Sequence, residues 1–137
     1  MKKSSKLLVG SLIALIAVIV GFKIYEVVVT PKGLNYKFYK QALKIYDLNL
    51  DYENKEIGEL EYTNRYSKYQ KTLLKINVDS DECYNADDTV KYLDTWRHYL
   101  LQSEDYDSFI IQEGKMIDEK ADNIKECKEQ LALILNK

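Results

Sequence analysis

One proline and five glycines are all the punctuation in a chain of 137 residues. An all-β domain needs turn residues about every ten positions, so this scarcity points to long helices. One histidine and two cysteines leave little material for metal chemistry. No Cys-x-x-Cys spacing occurs, and His98 falls halfway along a predicted helix, remote from both thiols. No metal and no cofactor are expected. Catalysis lacks a signature as well. Arg97 and Tyr99 flank His98, but nothing in the sequence supplies it with a partner and a cleft. Carboxylates are plentiful, yet no motif singles out an acid/base pair, so the chain reads as a protein that is not an enzyme.

Charge of one sign is missing from the amino terminus. Lys2, Lys3 and Lys6 stand there without an acid, and an uncharged run follows from Leu7 to Phe22. Residues 7–25 therefore predict a hydrophobic helix, either a transmembrane anchor or a signal helix. No Ala-x-Ala site precedes a cleavable junction, and apolar character resumes at Val27-Val28-Val29, which favours the retained anchor. The lysines predict a cytoplasmic n-region over 1–6, with everything after the span extracytoplasmic. Residues 26–33 read as a juxtamembrane linker and 34–137 as the extracytoplasmic domain.

That domain is expected to be all-α, a small antiparallel bundle of three or four helices. Thr30-Pro31 is a helix-start signal, followed by a helical pattern from about Leu34 to Leu48. Asp51–Glu56 suits a turn or a continuing helix. Tyr62, Tyr66, Tyr69, Leu73 and Ile76 recur at helical spacing, though Leu74–Val78 also alternates like a strand. Asp79–Asp88 reads as a break, with Asp87 or Asp88 capping a helix that holds Val90, Leu93, Trp96 and Leu100 on one face. After a polar break at residues 103–105, Ile110, Ile117, Ile124 and Leu131 repeat every seven residues, predicting one last helix with Gly114 and Ala121 beside the row.

Two cysteines in an extracytoplasmic domain predict a disulfide. The midpoint of Cys83 and Cys127 is residue 105, the predicted turn between the last two helices. Residues equidistant from such a turn share a height in an antiparallel hairpin. The bridge would close 45 residues and, on the chain-entropy model, stabilise by about 3–4 kcal/mol.

From residue 24 onward 16 Lys/Arg face 22 Asp/Glu, a net of −6. No basic stripe stands out along the chain, so nucleic acid is not an expected partner. Asn77–Asp88 places oxygen ligands at alternate positions, as a calcium loop does. Glu82 stands where the sharp turn needs glycine, and Asp88 where a longer Glu ligates, so solvated caps explain the same residues. Twelve tyrosines against three phenylalanines remain. Tyr62, Tyr66 and Tyr69 share one predicted face, and Tyr92, Trp96 and Tyr99 another. Tyr and Trp concentrate at protein interfaces, so these six residues form the expected interaction surface, with a basic partner suiting the acidic domain. The function expected is a membrane-anchored, extracytoplasmic protein–protein interaction module of the cell envelope: an accessory subunit, inhibitor or immunity-type protein. The alternatives are a sensing or ligand-binding bundle and a small envelope enzyme.

Overall fold

A computed structural model of the chain describes residues 2–102, 109–112 and 115–137. It divides into two units, Met1–Thr30 and Pro31–Lys137. The first is a single helix, α1 (Lys2–Val29). Its 28 residues span about 42 Å, more than the ~30 Å of bilayer hydrocarbon. Residues 3–25 are exposed on every side of the helix. Leu, Ile and Val thus face outward all round, a surface that suits lipid and not water. Ser11 donates its hydroxyl proton to the Leu7 carbonyl at 2.9 Å, satisfying its own polar group within the helix. α1 is long and apolar enough to cross a membrane or to serve as a signal helix. It continues past Tyr25 through Val29, into the segment expected to be linker.

The second unit is a helical bundle: α2 (Tyr36–Glu53), α3 (Glu59–Leu74), α4 (Cys83–Leu100) and α5 (Glu119–Leu135), with a hairpin of β1 (Phe109–Gln112) and β2 (Lys115–Asp118) before α5. Asn35, not Thr30, caps α2. Its Oδ1 accepts from the amides of Lys37 (2.9 Å) and Phe38 (3.2 Å), meeting two of the donors that a helix start leaves unpaired. Thr30 bonds back to the Glu26 carbonyl and belongs to the end of α1. α2 then runs through Asp51 to Glu53 and stops at Lys55, whose φ of 59° is left-handed. α3 ends at Leu74, so the alternating Leu74–Val78 is not a strand. α4 begins at Cys83, ahead of the expected caps Asp87 and Asp88, and half of the calcium-loop-like stretch is therefore helical.

Contacts set the directions. Gln41 Nε2 donates to the Tyr69 carbonyl (3.0 Å), and Tyr52 stacks on Tyr62 at 4.3 Å between ring centroids. α2 and α3 are therefore antiparallel. Gly33 meets Asn85 near the start of α2, and Tyr46 meets Trp96 near its end, so α2 and α4 run parallel. α5 returns along both: Lys128 lies over the Trp96 ring and pairs with Glu53, and Lys137 pairs with Asp47. Ile45, Leu73, Leu93, Trp96, Leu131 and Leu135 are almost fully buried between these helices.

The predicted last helix is corrected at its start. Ile110 and Ile117 are cross-strand neighbours in the hairpin, and only Ile124 and Leu131 of the seven-residue row lie on α5. The side chains at 110 and 117, like residue 114, lie outside the described residues. Phe109-Ile110-Ile111 and Met116-Ile117 favour strand through branched and aromatic side chains. Residues seven apart can also face one another across a short hairpin, so the spacing fits either structure.

At the centre, Asn49 is fully buried. Tyr62 donates its hydroxyl proton to Asn49 Oδ1 at 2.7 Å, and Asn49 Nδ2 donates to the Leu93 carbonyl at 3.4 Å. Breaking one partner strands a buried polar group, at a cost of about 1–3 kcal/mol. Asn49→Leu and Tyr62→Phe should each destabilise by about that much in urea melts, while the double variant loses roughly 1 kcal/mol less than their sum. Strictly additive losses would exclude the pairing.

Candidate interaction surface

The six aromatic residues expected on the surface divide into two groups. Tyr62, Tyr66 and Trp96 have 0, 2 and 0% of their surface exposed. They are core, so the expectation that they contact a partner is corrected. The physical reason lies in their hydroxyls and rings. Tyr62 finds Asn49, and Tyr66 donates to Asp94, which also accepts from Gln70 Nε2 at 2.9 Å. The Arg97 guanidinium covers the Tyr66 ring at 4.6 Å, and the Tyr46 ring meets Trp96 edge-on at 5.1 Å. A tyrosine whose hydroxyl is paired can be buried whole, and amphipathic spacing alone does not show which ones are.

Tyr69, Tyr92 and Tyr99 remain half-buried. Lys44 Nζ lies 6.0 Å from the Tyr69 ring centroid and Lys91 Nζ 5.3 Å from that of Tyr92, while His98 meets Tyr99 edge-on at 5.4 Å. Tyr84 is 76% exposed and was not among the expected residues, because it lay in what read as a loop. On α4 it joins Tyr92 and Tyr99 within an arc of about 80°, at 100° per residue. Asp81, Glu82, Asp87 and Asp88 lie around it in sequence, and no cation occurs from Ile76 to Val90. The start of α4 is thus acidic and presents an aromatic ring to solvent.

Cys83 and Cys127 are both free thiols, the first exposed and the second buried, so the predicted disulfide is corrected. With α4 ending at Leu100 and α5 starting at Glu119, the centre of their connection lies between residues 109 and 110, not at 105. The residue level with Cys127 becomes Tyr92. Cys83 lies two and a half turns away, about 13–14 Å along α4, beyond the ~7 Å that a disulfide tolerates between Cα atoms. Burial, and then Glu126, push the Cys127 thiol up.

The charge pattern also differs from the linear reading. Cations that are scattered along the chain come to matching heights on α2 and α3. His98 is exposed, and among the described residues no group of His, Cys, Asp and Glu side chains is arranged to hold a metal ion. Comparison with known proteins finds no matching family model, no matching curated protein and no matching solved structure.

Burial holds the Tyr62 hydroxyl well above the usual phenol range against the opposing pull of Arg97. Burial and then the Asp94 hydrogen bond raise Tyr66 further. Both groups stay protonated in the folded bundle where the unfolded chain ionises, near pH 10. Their contribution is therefore complete below about pH 10 and is lost as the pH rises above it, by about 1.4 kcal/mol per pH unit for each tyrosine. Urea melts between about pH 9 and 11 should show this decline, and Tyr66→Phe should flatten it by about half. An unchanged slope in that variant would contradict the assignment.

Proposed function

We propose that this chain is a membrane-anchored, non-enzymatic interaction module, in which α1 holds a helical bundle at a bilayer and the α4 side of that bundle binds a basic protein of the cell envelope. The observation that carries the reading is the exposed Tyr84 in its acidic setting, continued along α4 by Tyr92 and Tyr99. An aromatic ring in water is poorly used unless a partner covers it, and four carboxylates nearby select for cationic partners by steering and by excluding acidic ones. The all-round apolar surface of α1 supports the anchor.

Lys2, Lys3 and Lys6 support a cytoplasmic amino terminus and an extracytoplasmic bundle. Lys32, Lys37, Lys40 and Lys44 follow the span as well, which makes a direct measurement of sidedness the decisive one. The exposed Cys83 is a built-in probe. A membrane-impermeant maleimide applied to intact cells should label the chain once, at Cys83, with Cys127 reacting only after denaturation. Labelling of Cys83 only after the cells are opened would place the bundle in the cytoplasm.

Chemical crosslinking in cells, followed by detergent solubilisation, tests the binding surface. The wild-type chain should recover a basic protein in stoichiometric amount, and a Tyr84→Ala/Tyr92→Ala variant should lose at least about tenfold of it, as expected for an aromatic hot spot, while keeping its helical circular dichroism. Equal recovery by the folded variant would place the binding surface elsewhere.

A further inference from the structure

α2 from its start to Tyr46, and α3 from Tyr62 to its end, contain no acid. In and beside these stretches stand Lys32, Lys37, Lys40, Lys44, Arg65, Lys68, Lys71 and Lys75. All eight are exposed. The sequence hides the concentration because 23 residues separate Lys44 from Lys68 and acids fill much of that interval. The fold removes the separation.

The hydrogen bonds between α2 and α3 give the register. Gln41 meets Tyr69 and Asn49 meets Tyr62. By the same register, to within about one residue, Lys40 lies level with Lys71, Lys44 with Lys68 and Lys37 with Lys75. Lys37, Lys40 and Lys44 fall within about 60° of one side of α2, at 100° per residue. Lys44 resting over Tyr69 shows that this side adjoins α3. Lys68, Lys71 and Lys75 likewise fall within about 60° of one another on α3, so lysines stand at matching heights in three successive levels of one hairpin. Arg65 is paired with Glu61 at 2.7 Å, but none of the seven lysines forms an ion pair with a described residue. A surface of this kind repels itself, and an anionic partner relieves the repulsion.

We infer that the α2–α3 face binds the anionic phospholipid headgroups of the bilayer that holds α1. The inference rests on α1 being retained as an anchor. A tether of a few residues keeps the bundle at high effective concentration beside those headgroups, which no soluble anion shares. Anionic leaflets attract clusters of lysines next to a membrane helix by the sum of many weak contacts, without a shaped pocket. These lysines stand on other helices than Tyr84 and the acids at the start of α4, although Asn85 and Gly33 bring the starts of α4 and α2 together.

The test uses the full chain, purified in detergent and reconstituted into vesicles of phosphatidylcholine alone or with about 30% phosphatidylglycerol. Flotation with both kinds of vesicle establishes that α1 inserts, and failure to float would overturn the anchor on which the inference rests. An amine-reactive reagent is then added outside, and each lysine's labelling rate is read by mass spectrometry. Lys37, Lys40, Lys44, Lys68, Lys71 and Lys75 should react roughly threefold or more slowly in the anionic vesicles, while the exposed Lys125 on α5 serves as the internal reference. About 1 M salt, which shortens the screening length to ~3 Å, should abolish the difference. Equal rates in both vesicles, or slowing of Lys125 to the same extent, would overturn the lipid assignment. So would stronger protection of the six lysines by soluble polyaspartate or by single-stranded DNA than by the anionic vesicles.

Discussion

The bundle is held in register by a few buried polar side chains, with the Asn49 amide at their centre. Asn49 accepts from Tyr62 on α3 and donates to the Leu93 carbonyl on α4, so a single α2 side chain ties three helices at one level. Apolar side chains between helices tolerate sliding, because one methyl contact replaces another at little cost. A buried amide does not, since any displacement leaves it unpaired. The positions of α3 and α4 against α2 follow from this constraint, and the surfaces follow from those positions.

The tyrosine balance of the chain makes sense on the same terms. Tyr62 and Tyr66 act as core residues that also carry hydrogen bonds, to Asn49 and Asp94. Arg97 above Tyr66 and Lys128 above Trp96 close the edges of that core with cations. Once these rings are inside, Tyr84 is the most exposed tyrosine of α4, and Tyr92 and Tyr99 stay half-buried along the same helix. Charge is sorted by the same packing: register brings the lysines of α2 and α3 together, and the start of α4 collects carboxylates. One small bundle thus gathers cations on two helices and carboxylates at the start of a third.

The connection between α4 and α5 shows how a local choice propagates. A continuous helix from residue 106 would have placed Cys127 level with Cys83. Eight residues, 109–112 and 115–118, pair instead as strands, and with α4 ending at Leu100 and α5 starting at Glu119 the centre of the connection moves by four to five positions. The position opposite Cys127 thus shifts by nine residues, from Cys83 to Tyr92, about 13–14 Å along α4, enough to turn an expected bridge into two independent cysteines.

The sequence alone determined the membrane-compatible helix, because lysines followed by an uncharged apolar run have no stable alternative in water. It also determined the helical class and the approximate places of four helices, through hydrophobic spacing and the shortage of turn residues. It left three things to the tertiary structure. Spacing puts Tyr62, Tyr69, Trp96 and Tyr99 on helix faces but not on one side of a burial boundary, since that depends on which neighbour covers each ring. A seven-residue interval between Ile110 and Ile117 suits a helix and a hairpin alike. The basic face exists only when α2 and α3 pair, because electrostatic potential sums over distance in space and not along the chain. A net acidic domain thus carries, once folded, a concentration of lysines on α2 and α3.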